Sequence, residues 1–303
     1  MPVFSKGRAV RFEVQAADSV SDVAAKMNAS GDNINETLFS LLMTVAGRSS
    51  NFKSGPYDIR AGESPYRLMQ KLANGIYAQE GVTVIEGWTF KQMRNAIDSH
   101  PALKHDTAGL SDQELFQKLG LNYANGEGLF YPDTYQFVQG TSDIKICQLA
   151  QRSMMSKLNK LWENRAVNLP YKTVYDGLIM ASIVEKESSK KSDRGMIAGV
   201  FINRLKRDMK LQTDPTVIYG MGSRYEGKIH RSDLLRDTPY NTYTRKGLPP
   251  TPIALPGMSS LEAAFNPTET DALYFVSRGD GTSQFSNNLD DHNRAVEQYI
   301  LKK

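Results

Sequence analysis

Apolar residues along this chain recur in two rhythms, every second position in short runs and every third or fourth position in longer ones, and these rhythms predict most of its elements. Val10-Arg11-Phe12-Glu13-Val14 alternates and predicts a strand. A helix is expected over residues 20–27 behind the cap candidates Asp18 and Ser19, and a second over 36–46. Gly55-Pro56 reads as a turn before residues 57–60. Ser64-Pro65 reads as a cap followed by proline at the first helical position, with a stop at Asn74-Gly75.

A new strand over residues 82–85 opens the second region, so a domain boundary is expected near Gly81, with domains at 1–81 and 82–303. Thr89 starts a helix whose period runs through Phe90, Met93 and Ile97. Residues 126–135 mix aromatics with turn formers and predict an extended stretch with a tight bend. Helices are expected over 141–164, 174–187 and 196–207, the last two joined by the polar run at residues 188–192. Regular periodicity then stops, and residues 211–256 read as a long irregular segment of the kind that carries function. A hairpin around Arg278-Gly279-Asp280-Gly281 and a helix from residue 290 follow. The fold class is α+β: a small mixed first domain and a larger, helix-rich second domain with irregular loops and a C-terminal hairpin.

Composition narrows the function without choosing it. Hydrophobic residues at 40% and charged residues at 23% suit a folded globular chain rather than a disordered one. The net charge of +4 is mild and no basic run is long, so nucleic acid is not an expected partner. Cys147 is the only cysteine, which excludes an internal disulfide, and its setting beside Ile146 predicts a packed core thiol. No apolar run approaches the ~20 residues that span a bilayer, and Met1 to Arg11 lacks the apolar stretch of a signal peptide. The four histidines have no metal-ligand spacing, and phosphate-loop, dinucleotide and Gly-x-Ser-x-Gly patterns are missing, so neither a metal nor a cofactor is expected.

The chemistry concentrates in residues 174–256. On a helix Glu187 lies one turn beyond Ile183 and two beyond Met180, on their apolar face, where burial would raise its pKa as a general acid requires. The other reading of the same spacing, an exposed last-turn residue of a helix whose burial ends at Val184, stays open. Glu185 is about 200° around the helix, so the two side chains diverge and cannot flank one bond, and one of them reads as only a surface charge. Asn203 and Arg204 interrupt an apolar run and either meet a buried polar partner or line a groove. Gln212 and Asp214 precede a proline, where Asp is commonly a cap. Tyr240-Asn241-Thr242-Tyr243 and the run from Gly247 to Pro252 set aromatic faces beside amides and hydroxyls, a surface that suits sugars and equally suits a well-ordered loop.

Residues 181–187, 200–205, 211–222, 240–243 and 247–250 closely resemble the endolytic murein transglycosylases of the MltG or YceG-like family. The similarity extends over residues 127–135 and the late hairpin, and in the first region over residues 52–75, which resemble that family's LysM-like subdomain. The resemblance makes Glu187 the catalytic residue, and Asn203, Gln212, Asp214, Tyr240, Asn241, Thr242 and Tyr243 the expected glycan contacts. It implies non-hydrolytic cleavage between N-acetylmuramic acid and N-acetylglucosamine on nascent strands, leaving 1,6-anhydro ends. It further implies peptidoglycan as partner, an association with cell-wall synthases, and a periplasmic position held by one N-terminal membrane helix upstream of Met1. Two rivals stand beside it: a hydrolytic muramidase, with Glu127, Asp133 or Asp214 as second carboxylate, and a non-enzymatic wall-binding scaffold.

Overall fold

The structure, a computed structural model, describes residues 10–301 apart from 32–33, 48–51, 61 and 189. Most of the Met1 to Arg11 segment, searched for an export signal, therefore lies outside the described residues. The chain forms two compact units: residues 1–81 with 101–104 and 136–141, and residues 82–100, 105–135 and 142–303.

In the first unit, strand β1 (Val10–Val14) leads through helices α1 (Val20–Ala29) and α2 (Glu36–Val45) to strand β2 (Gly55–Ile59), and helix α3 (Pro65–Asn74) follows. β1 and β2 pair antiparallel from Val10 opposite Ile59 to Val14 opposite Gly55. The alternation in β1 places Phe12 and Val14 in a core with Met27, Phe39, Met43, Tyr57 and Leu72. Ser19 caps α1 in a capping box with Asp22, and Ser64 caps α3, which stops at Gly75 in the left-handed region. Gly55-Pro56 is a correction to the expected turn, because both residues belong to β2. Gly55 sits at φ +146°, and a Cβ there would come within 2.6 Å of the Tyr77 ring, so close packing rather than chain reversal requires the glycine.

Strand β3 (Gln79–Thr83) pairs with a later strand, β5 (Thr134–Val138). β3 ends two residues before the expected 85, although the Val84 N–H still donates to the Asp133 carbonyl at 2.9 Å. Between these strands run helix α4 (Phe90–Asp98), the two-residue strand β4 (Leu103–Lys104) and helix α5 (Asp112–Leu119), and the short strand β6 (Thr141–Ser142) follows β5.

The second unit continues with α6 (Asp143–Glu163), α7 (Val174–Glu187) and α8 (Arg194–Lys206). Helices α9 (Asp214–Met221), α10 (Arg231–Leu235) and α11 (Met258–Phe265) come next, then strands β7 (Tyr274–Ser277) and β8 (Ser283–Ser286) and helix α12 (Leu289–Val296). α7 is the centre of this unit: every residue from Gly177 to Val184 is buried, with α6, α8, α9 and α11 packed against the helix. A helix apolar on all sides belongs inside a fold rather than on its surface. Cys147 is buried in α6 and its thiol is pushed up to about 12 by burial, as a core thiol should be. Among the described residues no helix is long and apolar enough to cross a membrane.

Two helices, α9 and the short α10, correct the expected irregular segment, and a third that the sequence does not predict, α11, follows it. α9 opens with Asp214-Pro215, where proline's missing N–H costs nothing, and its eight residues are too few for a period to emerge. α11 is built from small and apolar residues buried against α7 and α8, so it lacks the polar face that would mark it as amphipathic. The hairpin forms where expected, with β7 and β8 antiparallel and the Arg278 N–H donating to the Thr282 carbonyl at 2.9 Å across the turn.

The contact between α7 and α11 depends on Gly177, where a Cβ would lie 2.4 Å from two atoms of the Phe265 ring. That ring is fully buried, with Trp162 and Tyr171 edge-on to it. Gly177→Ala is expected to destabilise the protein by about 1–3 kcal/mol through overpacking, a cost that exceeds the ~1 kcal/mol alanine gains in a helix. A lower urea midpoint with an unchanged transition slope checks it.

Candidate active site

α7 is fixed at both ends. Thr173 caps its start in a capping box with Asp176. Near its other end the Glu185 carboxylate takes both Arg194 guanidinium nitrogens, at 2.8 and 3.1 Å, together with the Gly257 N–H at 3.0 Å and the Ser260 hydroxyl at 2.7 Å. Both charged side chains are 5% exposed. Neither this carboxylate nor the half-buried one of Glu187 is the plain surface charge expected of one of the two. Glu185 is a buried anion joining the end of α7 to the starts of α8 and α11.

Glu187, two residues further on and the last residue of α7, has a different environment. It is half-buried, and its Oε2 accepts a hydrogen bond from the Thr213 hydroxyl at 2.6 Å. Burial raises its pKa and is the largest influence; the Thr213 hydrogen bond opposes it, and the negative charge of Asp214 adds to it. Thr213 is itself positioned: its N–H donates to the Thr242 hydroxyl at 3.1 Å, and that hydroxyl meets the Thr216 hydroxyl at 2.9 Å. Gln212 precedes it at φ +50°, a left-handed conformation costly for a residue with a side chain, held by the bond from its N–H to the Thr242 carbonyl at 3.1 Å.

Glu187, Gln212, Asp214 and Tyr243 line one cavity of about 490 Å³, together with Arg204, Tyr274 and His292. The Tyr243 hydroxyl donates to Asp214 at 2.5 Å. Arg204 is buried and donates to the carbonyls of Leu273 at 2.6 Å and Leu211 at 3.0 Å and to the Gln212 amide oxygen at 3.3 Å, so the two alternatives left open for it are both realised. His292 stacks on Tyr274 at 5.1 Å, and burial followed by the nearby Arg204 charge lowers its pKa and favours the neutral ring.

The remaining expected contacts lie elsewhere. Asn203 donates to the carbonyls of Thr270 at 2.7 Å and Ala272 at 3.1 Å. Asn241 is buried; its amide donates to three carbonyls, the shortest that of Arg236 at 2.7 Å, and its oxygen accepts from the Tyr243 N–H at 2.8 Å. Thr242 is buried behind Thr213. Tyr240 lines a second cavity and bonds Thr251 at 2.8 Å. Asp133 accepts from the Thr134 N–H at 2.8 Å, and Glu127 is buried. Sequence reasoning misses Thr213, Tyr274 and His292. Thr213 stands between two singled-out neighbours, whereas the other two reach the cavity only through the hairpin and the last helix. Among the described residues no group of three or more His, Cys, Asp and Glu side chains is arranged to hold a metal.

A carboxyl whose pKa burial raises, held by one hydroxyl at the end of a buried helix and lining a polar cavity, is an arrangement suited to giving and taking back a proton. The fold is α+β, and this carboxyl is its candidate acid–base group. The chain belongs to the YceG-like family, whose profile matches residues 12–298. It is 34% identical over 314 aligned residues to a Bacillus subtilis (strain 168) protein named endolytic murein transglycosylase, covering 97% of this chain and 86% of that one. A Streptococcus pneumoniae (serotype 2, strain D39) protein of the same name is 30% identical over 288 residues, covering 84% of this chain and 52% of that one. The crystal structure of a yceG-like protein from Listeria monocytogenes matches with a TM-score of 0.61 at 32% identity, covering 94% of this chain and 98% of that one.

Removing one partner of the Glu185–Arg194 pair leaves a buried charge alone. Arg194→Ala is expected to lower unfolding stability by about 3–5 kcal/mol. A double-mutant cycle with Glu185→Gln should return a coupling well above the ~1 kcal/mol of an exposed pair; a coupling at that lower level refutes the anchoring role.

Proposed function

We propose that this chain is an endolytic murein transglycosylase that cleaves the glycan of peptidoglycan with Glu187 as its one acid and base. The observation that carries the reading is the Glu187 carboxyl itself, with its pKa raised by burial and its geometry set by Thr213 beside a polar cavity. The family and the names of its members support the same reaction.

In this reading the protonated Glu187 donates to the glycosidic oxygen as the bond from C1 of N-acetylmuramic acid breaks. The departing N-acetylglucosamine leaves with a free 4-hydroxyl. The muramic C6 hydroxyl then attacks C1 and gives its proton to the Glu187 carboxylate, closing a 1,6-anhydro ring without consuming water. The catalyst ends in the protonation state in which it began, so one carboxyl suffices. Glu185 cannot act as a second, because its oxygens are already taken by Arg194, Gly257 and Ser260. Gln212 and Tyr243 line the cavity as sugar contacts, and Asp214 holds Tyr243 in place.

Nascent strands at the outer face of the membrane are the proposed substrate, with cell-wall synthases as neighbours. The strand-helix-helix-strand order of the first unit, with β1 paired to β2, supports its reading as LysM-like and as a wall-binding element. Asp214 in the same cavity favours one alternative, a hydrolase in which it activates water.

Mass spectrometry of fragments released from purified peptidoglycan separates the two. Anhydro ends from the parent, lost with a rate drop of at least about 10²-fold in Glu187→Gln, are expected; reducing ends would replace this reading with the hydrolase. The pH profile supplies a second check, since kcat/KM requires protonated Glu187 and falls as pH rises through its pKa. Thr213→Val removes an interaction that lowers that pKa and should move the alkaline limb to higher pH. Asp214→Asn removes a charge that raises it and should move the limb to lower pH. Shifts of the same sign in both variants would refute Glu187 as the titrating group.

A further inference from the structure

We propose that the cavity lined by Glu127, Tyr219, Tyr225 and Tyr240 is a saccharide subsite for an N-acetylated sugar, with Glu127 Oε2 donating to the acetamido carbonyl. The inference rests on the reading of the chain as a glycan-cleaving enzyme and extends it to residues outside the Glu187 cavity.

The space is adequate. At about 870 Å³ it exceeds the Glu187 cavity and falls within the range of small-ligand sites. Its wall is mainly apolar and aromatic: the Tyr219 and Tyr240 rings meet edge-on at 4.8 Å, beside Pro215, Ile218, Tyr225 and Ile253. Ring faces of this kind pack on the C–H face of a pyranose, leaving its polar substituents to be satisfied individually.

One polar group in that wall is unsatisfied. Glu127 is 5% exposed, and its Oε1 accepts the Phe90 N–H at 2.9 Å, while Oε2 is buried with no hydrogen-bond partner. Leaving a carboxyl oxygen unpaired costs stability, and because Glu127 lines the cavity, a turn of its carboxyl would bring Oε2 to a ligand partner there. Burial is the main influence on this carboxyl and raises its pKa to about 7, so near neutrality it carries a proton and can donate. The charged and titratable groups facing it are Asp112 at the start of α5, Lys186 on α7, and the tyrosines 175 and 219; Lys91 on α4 shares the cavity wall. Asp112 adds to the rise and Lys186 opposes it. An acetamido carbonyl is a neutral acceptor and matches a protonated carboxyl.

The two cavities share the end of α7 and the start of α9. Lys186 and Pro215 line this one, whereas their chain neighbours Glu187 and Asp214 line the other. A glycan chain passing the end of α7 would place one sugar at Glu187 and a further sugar here.

The test is calorimetric titration of chitotetraose, an N-acetylglucosamine tetramer, into the full chain carrying Glu187→Gln. Affinity should fall by about tenfold from pH 6 to pH 8, the loss of the protonated form for a pKa near 7. Adding Glu127→Gln keeps an acceptor for Phe90 and a donor at the second position, so it should retain the pH 6 affinity and abolish the pH dependence. Adding Tyr219→Ala should weaken binding at least tenfold at both pH values. No binding by the starting protein, unchanged affinity in Tyr219→Ala, or a pH dependence that survives Glu127→Gln would each overturn the subsite. Anhydro products from the unmutated chain with cavity-independent binding would sink the subsite alone. Cavity-dependent binding with no cleavage would sink the catalytic reading alone.

Discussion

The buried pair of Glu185 and Arg194 is the constraint on which the rest of the site depends. Moving either ion out of water costs several kcal/mol, and that cost is offset only when each has a full set of partners. Glu185 has them from Arg194 and from the Gly257 N–H and Ser260 hydroxyl at the start of α11, where a negative charge also suits the helix dipole. A salt bridge of this kind is a poor source of net stability compared with an apolar contact. It is directional, however, and it locks the end of α7, and with it Glu187, against two other helices.

Two carboxylates two residues apart on one helix thereby take opposite parts. The Glu185 oxygens are taken up by Arg194, Gly257 and Ser260, whereas Glu187 has one hydroxyl that opposes its protonation and is outweighed by burial and the neighbouring Asp214 charge. Environment rather than residue type divides the roles. The same holds for Glu127, whose single donor cannot compensate its burial.

Local signals carry the fold a long way. The bounds of β1 and α7, the caps at Ser19, Ser64 and Thr89, the stop at Gly75 and the late hairpin all rest on short-range chemistry that a sequence displays directly. α9 is hidden because eight residues are too few to display a period, and α11 because most of its eight are buried and it shows little polar face. The apolar face expected for Glu187 leads to a half-buried residue, but the helix before it is buried all round, so face alone does not separate it from Glu185. What separates them is Arg194 and Thr213, nine and twenty-six positions away, and such partners are invisible to periodicity.

Polar residues in a loop-rich segment invite assignment to a ligand, but they also have a structural duty. A long irregular chain cannot satisfy its own backbone by a regular ladder, so side chains must do so. Asn241 binds three carbonyls, Asn203 two, and Thr242 supports the backbone on either side of Thr213. Their amides and hydroxyls are committed before any sugar arrives. The side chains that face the two cavities with fewer internal bonds are Glu187, with one from Thr213, Gln212, with one from Arg204, and Glu127, one of whose oxygens has no partner. A stiff, internally satisfied loop is what allows so few groups to be held still.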